Sequence, residues 1–124
     1  ALDFTCESQP ETMQVLADKD QIEMVLINLV KNAVEALAGR AGGTIRLRGY
    51  LDENQQPSID VADNGPGIIP EALEKIFIPF YTTKKTGSGI GLSLSRQIMQ
   101  MHGGTLKVQS EVNKGTTFTL RFGG

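Results

Sequence analysis

The stretch "DQIEMVLINLVKNAVEAL", residues 20–37, has the pattern of a long amphipathic helix. Asp20 is a favourable N-cap residue, and Glu23 follows three positions later, which is the spacing of a capping box. Apolar residues recur with a period of about 3.6 and form one stripe, made of Ile22, Val25, Leu26, Leu29, Ala33, Ala36 and Leu37. The segment "GRAGG" then ends the pattern. We therefore predict a helix over these residues that packs one face against a core.

A second face of the same helix is polar. Four of its residues are spaced i, i+3, i+4 and i+7, and they are Asn28, Lys31, Asn32 and Glu35. Side chains at these spacings point in the same direction. Lys31 and Glu35 are ordinary on a solvated face, but asparagine is a mediocre helix former that competes for backbone hydrogen bonds. Because an amide oxygen is a neutral hard ligand, this face is either solvated or a candidate Mg²⁺ site.

Most of the remaining patterned segments are predicted to be strands. Alternating and β-branched segments predict strands over residues 2–6, 13–18, 44–51, 58–63, 105–111 and 116–122. In the third of these, Ile45 and Leu47 share one face, and Arg46 and Arg48 share the other. Loop "DENQQP" and the tight turn "VNKG" make two hairpins of the last four strands.

Two further helices complete the predicted order. Residues 70–77 predict a short helix with Pro70 in its first turn. "IGLSLSRQIMQMHGG" predicts a second amphipathic helix, with a stripe made of Ile90, Leu94, Ile98 and Met101. Strands, helix, hairpin, helix and hairpin in this order predict an α+β fold, a two-layer α/β sandwich with antiparallel strand pairs on one side and helices on the other.

Composition narrows the class of protein. The 124 residues suit one domain, residues 1–124, and the abrupt start is what a piece cut from a longer protein would show. No apolar run approaches the roughly 20 residues of a membrane-spanning helix, and no signal peptide is evident. A net charge of -2 argues against general nucleic-acid or anionic-membrane binding. The single Cys6 cannot form an internal disulfide, which favours a reducing cytosol.

The segment "DVADNGPGI" places Asp63 where a strand breaks into Gly65 and Gly67. One interpretation is a plain Asx turn after a strand. The functional alternative is a carboxylate that accepts a hydrogen bond from an exocyclic amine, with glycines clearing space beside it. The amino group of adenine fits that description.

The segment "KKTGSGIGLS" places Gly87, Gly89 and Gly91 immediately before a helix. Free N–H groups at a helix start favour an anion, and glycine lets the backbone approach phosphate oxygens. The segment lacks the Gly-Lys-Ser/Thr ending of a P-loop and the spacing G-x-G-x-x-G of a dinucleotide fold. By itself it is equally compatible with phosphate binding and with a flexible linker.

Taken in order, four segments resemble the N, G1, F and G2 boxes of sensor histidine kinases. They are "NLVKNAVEAL", "DNGPGI", "IFIPFYTTK" and "GSGIGLSLSRQIMQMHGG", and the closing "GTTFTLRF" also fits. The resemblance covers residues 2–122 and is to the catalytic and ATP-binding domain. It implies the Bergerat fold shared with type II topoisomerases and mismatch-repair ATPases, with a mixed, mostly antiparallel sheet and helices on one face.

The resemblance also implies roles for individual residues. Asn32 would coordinate Mg²⁺ with Asn28 nearby, and Asp63 would bind the adenine amine together with Thr116, through water. The remaining residues implied in nucleotide binding are Ala36, Gly65, Gly67, Ile68, Phe80, Lys84, Gly87, Ser88, Gly89, Ile90, Gly91 and Leu92. Phe77 and Phe80 would anchor a flexible ATP lid over about residues 69–88.

The chain departs from the family pattern at Glu35. Many members carry a basic residue at this position, which reaches the phosphates. A carboxylate cannot pair with triphosphate, although it could reach the metal or a metal-bound water. Either Lys31 on the same face or Lys84 in the lid would then supply the positive charge, and we include Lys31 with Asn28 and Asn32 among the expected catalytic residues.

Asn28 also bears on the reaction. Related ATPases carry a glutamate at this position that activates water as a general base, and an amide cannot accept a proton at neutral pH. The resemblance therefore implies transfer of the γ-phosphoryl group to a protein histidine, with an ATP-hydrolysing or a nucleotide-sensing module as the alternatives. Transfer would depend on positioning and on charge neutralisation by Mg²⁺.

The partners follow from the same resemblance. The only histidine, His102, has the position of a polar residue at a helix end. The phosphoacceptor histidine would lie on a separate dimerisation domain, so the isolated chain should bind ATP without phosphorylating itself. A response regulator would receive the phosphoryl group. We expect a homodimeric parent protein, with or without a membrane anchor, whose kinase part is cytoplasmic, and a monomeric isolated domain.

Overall fold

The computed structural model describes residues 3–9, 19–78 and 91–122, and for the first of these ranges only the backbone. The elements are β1 Asp3–Gln9, α1 Lys19–Ala36, β2 Thr44–Leu51, β3 Pro57–Asp63, α2 Pro70–Leu73, α3 Gly91–Met101, β4 Thr105–Glu111 and β5 Gly115–Arg121. All of the predicted elements within the described ranges are present. The strand predicted over residues 13–18 lies outside them.

The five strands form one sheet in the order β1-β2-β3-β5-β4. β1 and β2 are parallel, and the other neighbouring strands are antiparallel. This confirms the predicted mixed, mostly antiparallel sheet. The alternation predicted for β2 is also confirmed, because Ile45 is buried and Leu47 is half-buried, whereas Arg46 and Arg48 are exposed.

Both long helices pack on the same face of the sheet. α1 lies on β2 and β3, α3 lies on β4, and the two helices pack against each other. The predicted stripe of α1 is confirmed, with its buried members being Ile22, Val25, Leu29, Ala33 and Leu37. Opposite it, the inward-facing side chains of the central strands include Val61, Phe118 and Leu120. Helix stripe and strand alternation thus meet in one apolar layer, as a two-layer sandwich requires.

The predicted stripe of α3 is wrong in its register. The helix buries Ser95, Ile98 and Met99, whereas Leu94 is 39% exposed and Met101 is 67% exposed. Ile90, the other predicted member, lies outside the described residues. A helix with apolar residues on two adjoining faces offers two stripes of the same period. The contact with α1 selects the face that contains the small Ser95.

α2 is shorter than predicted, since it ends at Leu73 instead of residue 77. Beyond it the chain continues in turns closed by i to i−3 hydrogen bonds, from Lys75 N to Ala72 O at 2.8 Å and from Ile78 N to Lys75 O at 2.9 Å. Bonds of this kind continue the rotation of the chain without extending the α-helix.

Candidate nucleotide-binding site

Asp63 ends β3 and heads a row of polar residues across three strands. It pairs with Thr116 of β5, which in turn pairs with Ser110 of β4. All three lie at the same end of the helix-covered face of the sheet. The Asp63 carboxylate accepts the backbone N–H of Gly65 at 2.9 Å. This backbone donor holds the carboxylate in place.

Burial raises the pKa of Asp63 above its ordinary value, and the backbone N–H groups of Gly65 and Thr116, that of Gly65 first, oppose the rise. The ionised form is an acceptor of hydrogen bonds and cannot donate one. This half-buried carboxylate can therefore select a ligand that presents a donor, such as an exocyclic amine.

Gly65 brings the carboxylate and α1 together. It is buried, and a Cβ atom there would lie 2.9 Å from Asp63 Oδ1 and 3.4 Å from the Cβ of Ala36. A side chain there would therefore displace the Asp63 carboxylate, and a Cβ atom would already touch the helix. The structure thus places two of the predicted site residues, Ala36 and Asp63, on either side of this glycine.

Gly67 has a different structural reason to be glycine. Its φ is +75°, and a Cβ atom would overlap the carbonyl group of Glu111 at the end of β4, where the turn to β5 begins. Beside it, the N–H of Asn113 donates to Pro66 O at 2.8 Å. The loop after β3 is therefore fastened to that turn. A contact of Gly67 with nucleotide stays a prediction.

Sequence reasoning missed two polar residues at this end of the sheet. Ser110 Oγ accepts the N–H of Ile68 at 2.8 Å and lies 2.8 Å from Thr116 Oγ1. Asn64 Oδ1 accepts the N–H of Thr44 at 2.7 Å, and its Nδ2 donates to Gly42 O at 3.0 Å. The cross-strand register would have found Ser110 as the partner of Thr116. Asn64 lies next to Asp63 in the glycine-containing segment "DVADNGPGI".

The polar face of α1 meets the start of α3. Asn28 and Asn32 are half-buried, whereas Lys31 and Glu35 are exposed. Asn28 Nδ2 donates to Ser95 Oγ at 3.3 Å, and a Cβ atom on Gly91 would lie 3.8 Å from Asn28 Cγ. The predicted metal face and the predicted phosphate end are therefore neighbours.

Comparison with known proteins identifies the family. The family described as histidine kinase-, DNA gyrase B-, and HSP90-like ATPase matches residues 17–123. The chain belongs to this family. Its relatives include sensor histidine kinases, for example the signal transduction histidine-protein kinase AtoS of Escherichia coli strain K12, which is 40% identical over 119 residues. That alignment covers 96% of this chain and 19% of AtoS.

Another relative is the C4-dicarboxylate transport sensor protein DctB of Rhizobium meliloti strain 1021. It is 40% identical over 111 residues, which cover 90% of this chain and 18% of DctB. The chain thus spans about a fifth of the length of these curated relatives.

Solved histidine kinase structures share the fold. The nucleotide-free catalytic domain of ThkA superposes with a TM-score of 0.85 at 39% identity, covering 98% of this chain and 78% of that one. ThkA in complex with the response regulator TrrA gives 0.79 at 36% identity, covering 98% and 34%. Full-length ShkA in complex with AMPPNP gives 0.82 at 26% identity, covering 98% and 25%. The expected fold and family are confirmed.

The predicted lid of this ATPase domain is described only in part. Phe77 is half-buried against the core, and the guanidinium carbon of Arg96 lies 4.9 Å from the centre of its ring. That contact joins the segment after α2 to α3. The remaining predicted site residues lie outside the described ranges, and they are Phe80, Lys84, Gly87, Ser88, Gly89 and Ile90. Leu92 packs against the apolar core.

Within the described ranges, no group of three or more His, Cys, Asp and Glu residues could hold a metal ion. None of the described helices is long and apolar enough to cross a bilayer.

Proposed function

We propose that this domain binds Mg-ATP and donates its γ-phosphoryl group to a histidine on a separate dimerisation and phosphoacceptor domain, in two-component signal transduction. The observation that carries the proposal is the setting of Asp63. The backbone N–H of Gly65 holds its half-buried carboxylate, and this glycine separates it from the helix that bears Asn28 and Asn32. A hydrogen-bond acceptor for the adenine amine thus lies next to a helix face that is suited to binding a metal ion and phosphates.

In the proposed site, Asp63 and Thr116 bind the adenine base. Both side chains lie on the same face of adjacent strands, and Thr116 is only 6% exposed. The carboxylate would accept the exocyclic amine of adenine, and Thr116 would take part through water. The AMPPNP bound by the structural neighbour ShkA supports an adenine nucleotide as the ligand.

In the proposed site, Asn32 and Asn28 form the part that binds the metal ion. Mg²⁺ prefers oxygen ligands and usually takes only one or two from protein, with phosphates and water completing its shell. Two half-buried amides on one helix face suit a metal ion that arrives with a triphosphate. Asn32 would hold the metal, whose charge would neutralise the phosphates. Lys31, exposed on the same helix, or Lys84 would add positive charge.

Phosphoryl transfer is preferred over hydrolysis because of Asn28. Hydrolysing relatives need a general base at this position, and an amide cannot accept a proton at neutral pH. In this domain the Asn28 amide instead donates to Ser95. The γ-phosphoryl group would therefore be kept for a protein acceptor.

The histidine that accepts the phosphoryl group would lie on another domain, because His102 is far from the predicted phosphate end of the site. It follows the C-terminal end of α3, and its Nδ1 lies 2.8 Å from Ile98 O in the last turn. It lies eleven positions after Gly91 at the opposite end, a rise of about 16 Å along the helix. A histidine on a separate domain fits the proposal.

Partners and setting extend the proposal to the parent protein. A response regulator would be the next phosphoryl acceptor, as the ThkA–TrrA complex suggests by analogy. The parent would be a homodimer whose kinase part is cytoplasmic, and the isolated domain a monomer. Residues 1–124 would form the single ATP-binding domain of that protein, with the lid over about residues 69–88.

One experiment tests the proposal directly. The domain is mixed with separately purified histidine-bearing acceptor domains and γ-labelled ATP, and acid-labile phosphate on the acceptor is followed. We expect label on a cognate acceptor, none on the domain alone and none with Asp63→Asn. ATP binding without transfer to any acceptor would favour a sensing module, and rapid turnover without acceptor would favour a hydrolase.

A further inference from the structure

The hydroxyl group of Ser110 touches three different segments. Its Oγ lies 2.8 Å from Ile68 N, 3.0 Å from Gly115 O and 2.8 Å from Thr116 Oγ1. These are short, ordinary hydrogen-bond distances. One side chain on β4 therefore ties together the loop after β3 and the first two residues of β5.

The available protons determine how these contacts can form together. A hydroxyl group has one proton to donate and two lone pairs to accept with. The Ile68 N–H must donate to Ser110, and Gly115 O can only accept. If Ser110 gives its proton to Gly115 O, then the contact with Thr116 requires Thr116 to donate to Ser110. This is the one arrangement in which all three contacts are hydrogen bonds.

That arrangement settles what Thr116 can offer a ligand. Its proton points toward Ser110, so its oxygen can only accept from any group beside Asp63. The ionised Asp63 carboxylate also accepts only. The wall formed by these two neighbouring side chains would then contain acceptors alone.

We propose that Ser110 is a specificity-determining residue, which selects adenine over 6-oxopurines by keeping the Thr116 proton turned away from the base. The inference rests on the proposed function, in which Asp63 and Thr116 lie beside the base, and it requires Thr116 to contact the base edge directly instead of through water. Adenine presents an amine at its 6 position, whereas guanine and hypoxanthine present a carbonyl oxygen. A wall of acceptors can bond the 6-amine, whereas it leaves a 6-carbonyl oxygen facing acceptors with no donor. Without Ser110, Thr116 could rotate its proton toward a carbonyl oxygen.

The test compares ADP with inosine diphosphate, by displacement of a fluorescent ADP analogue. The ratio of the two affinities is measured for the natural protein and for Ser110→Ala, Ser110→Thr, Thr116→Val and the Ser110→Ala/Thr116→Val double variant. In Ser110→Ala we expect the ratio to fall about tenfold, the factor that one hydrogen bond provides. Ser110→Thr keeps the hydroxyl group and should keep the ratio.

The double variant separates proton control from mere loosening of the loop. Thr116→Val removes the proton that Ser110→Ala would release, so the double variant should regain discrimination to the level of Thr116→Val alone. A double variant as unselective as Ser110→Ala would overturn the proposal, as would an unchanged ratio in Ser110→Ala. If the natural protein binds neither nucleotide, the proposed function itself fails. Circular dichroism and urea unfolding verify that each variant is folded.

Discussion

The side-chain amide of Asn28 and the hydroxyl of Ser95 meet across the interface of the two long helices, with Nδ2 3.3 Å from Oγ. Ser95 is fully buried and donates its own proton to Gly91 O at 2.8 Å. Its oxygen can therefore only accept from Asn28, which turns the amide nitrogen toward α3. The carbonyl end of the amide is thereby fixed on the other side of the side chain.

Ser95→Ala should disturb this orientation. In the natural protein, Mg²⁺ should increase ADP affinity by a certain factor, and in Ser95→Ala we expect that factor to be about tenfold smaller. The reason is that the Asn28 amide loses the hydroxyl acceptor that holds it. Titration calorimetry with and without EDTA measures this factor. Ser58→Ala is the matched control, since Ser58 is 1% exposed and lies on the opposite face of the sheet. An equal loss in both variants would contradict a positioning role for Ser95.

The ionisation of Asp63 should affect nucleotide affinity and stability in opposite directions. Its ionised form accepts the adenine amine, so ADP affinity should fall as pH falls through its raised pKa. Since the folded-state pKa exceeds the unfolded value, the folded protein binds this proton more tightly. The contribution of Asp63 to the free energy of unfolding is therefore present below the unfolded pKa and is lost as pH rises through the folded one.

Asp63→Asn should remove both pH dependences and bind ADP weakly, because an amide can turn a donor toward the adenine amine. Calorimetric titrations and urea unfolding across the acidic range measure the two effects. Asp60→Asn is the control, three residues earlier on the same strand, where Tyr50 and Thr119 hydrogen-bond its carboxylate. Undiminished ADP affinity in Asp63→Asn would rule out the assigned role.

The limits of sequence reasoning are seen by comparing α1 with α3. The first helix has one apolar stripe, so both of its faces could be predicted. Its start was predicted less well, because the helix includes Lys19 and the expected N-cap residue Asp20 lies in its first turn. In α3 the choice between Leu94 and Ser95 depended on the surface of α1, which the sequence does not display. The role of Ser110 likewise depends on strand register, because a lone serine in a strand has no pattern of its own. Tertiary contacts decide such cases.

Gly67→Ala should destabilise the domain far more than Gly39→Ala. Both glycines have positive φ, +75° and +77°, but a Cβ atom on Gly39 would meet nothing within 4 Å. Gly39→Ala should therefore cost about 1 kcal/mol from backbone strain alone. Gly67→Ala adds an overlap with Glu111 and should cost about 3 kcal/mol in total. Urea unfolding measures both, and equal costs would show that the loop shifts freely from the turn.

Asn32→Ala should remove the effect of Mg²⁺ on the domain while leaving the domain folded. Alanine is the better helix former, so α1 should persist. We expect phosphoryl transfer to an acceptor domain to be lost and the Mg²⁺ dependence of ADP affinity to shrink toward none, because the amide oxygen is the ligand assigned to the metal. Calorimetry with and without EDTA measures the second effect without any catalysis. Asn54→Ala is the control, an exposed asparagine in the turn between β2 and β3 that should change neither property. If Asn32→Ala keeps transfer and metal dependence, the metal is held by other groups.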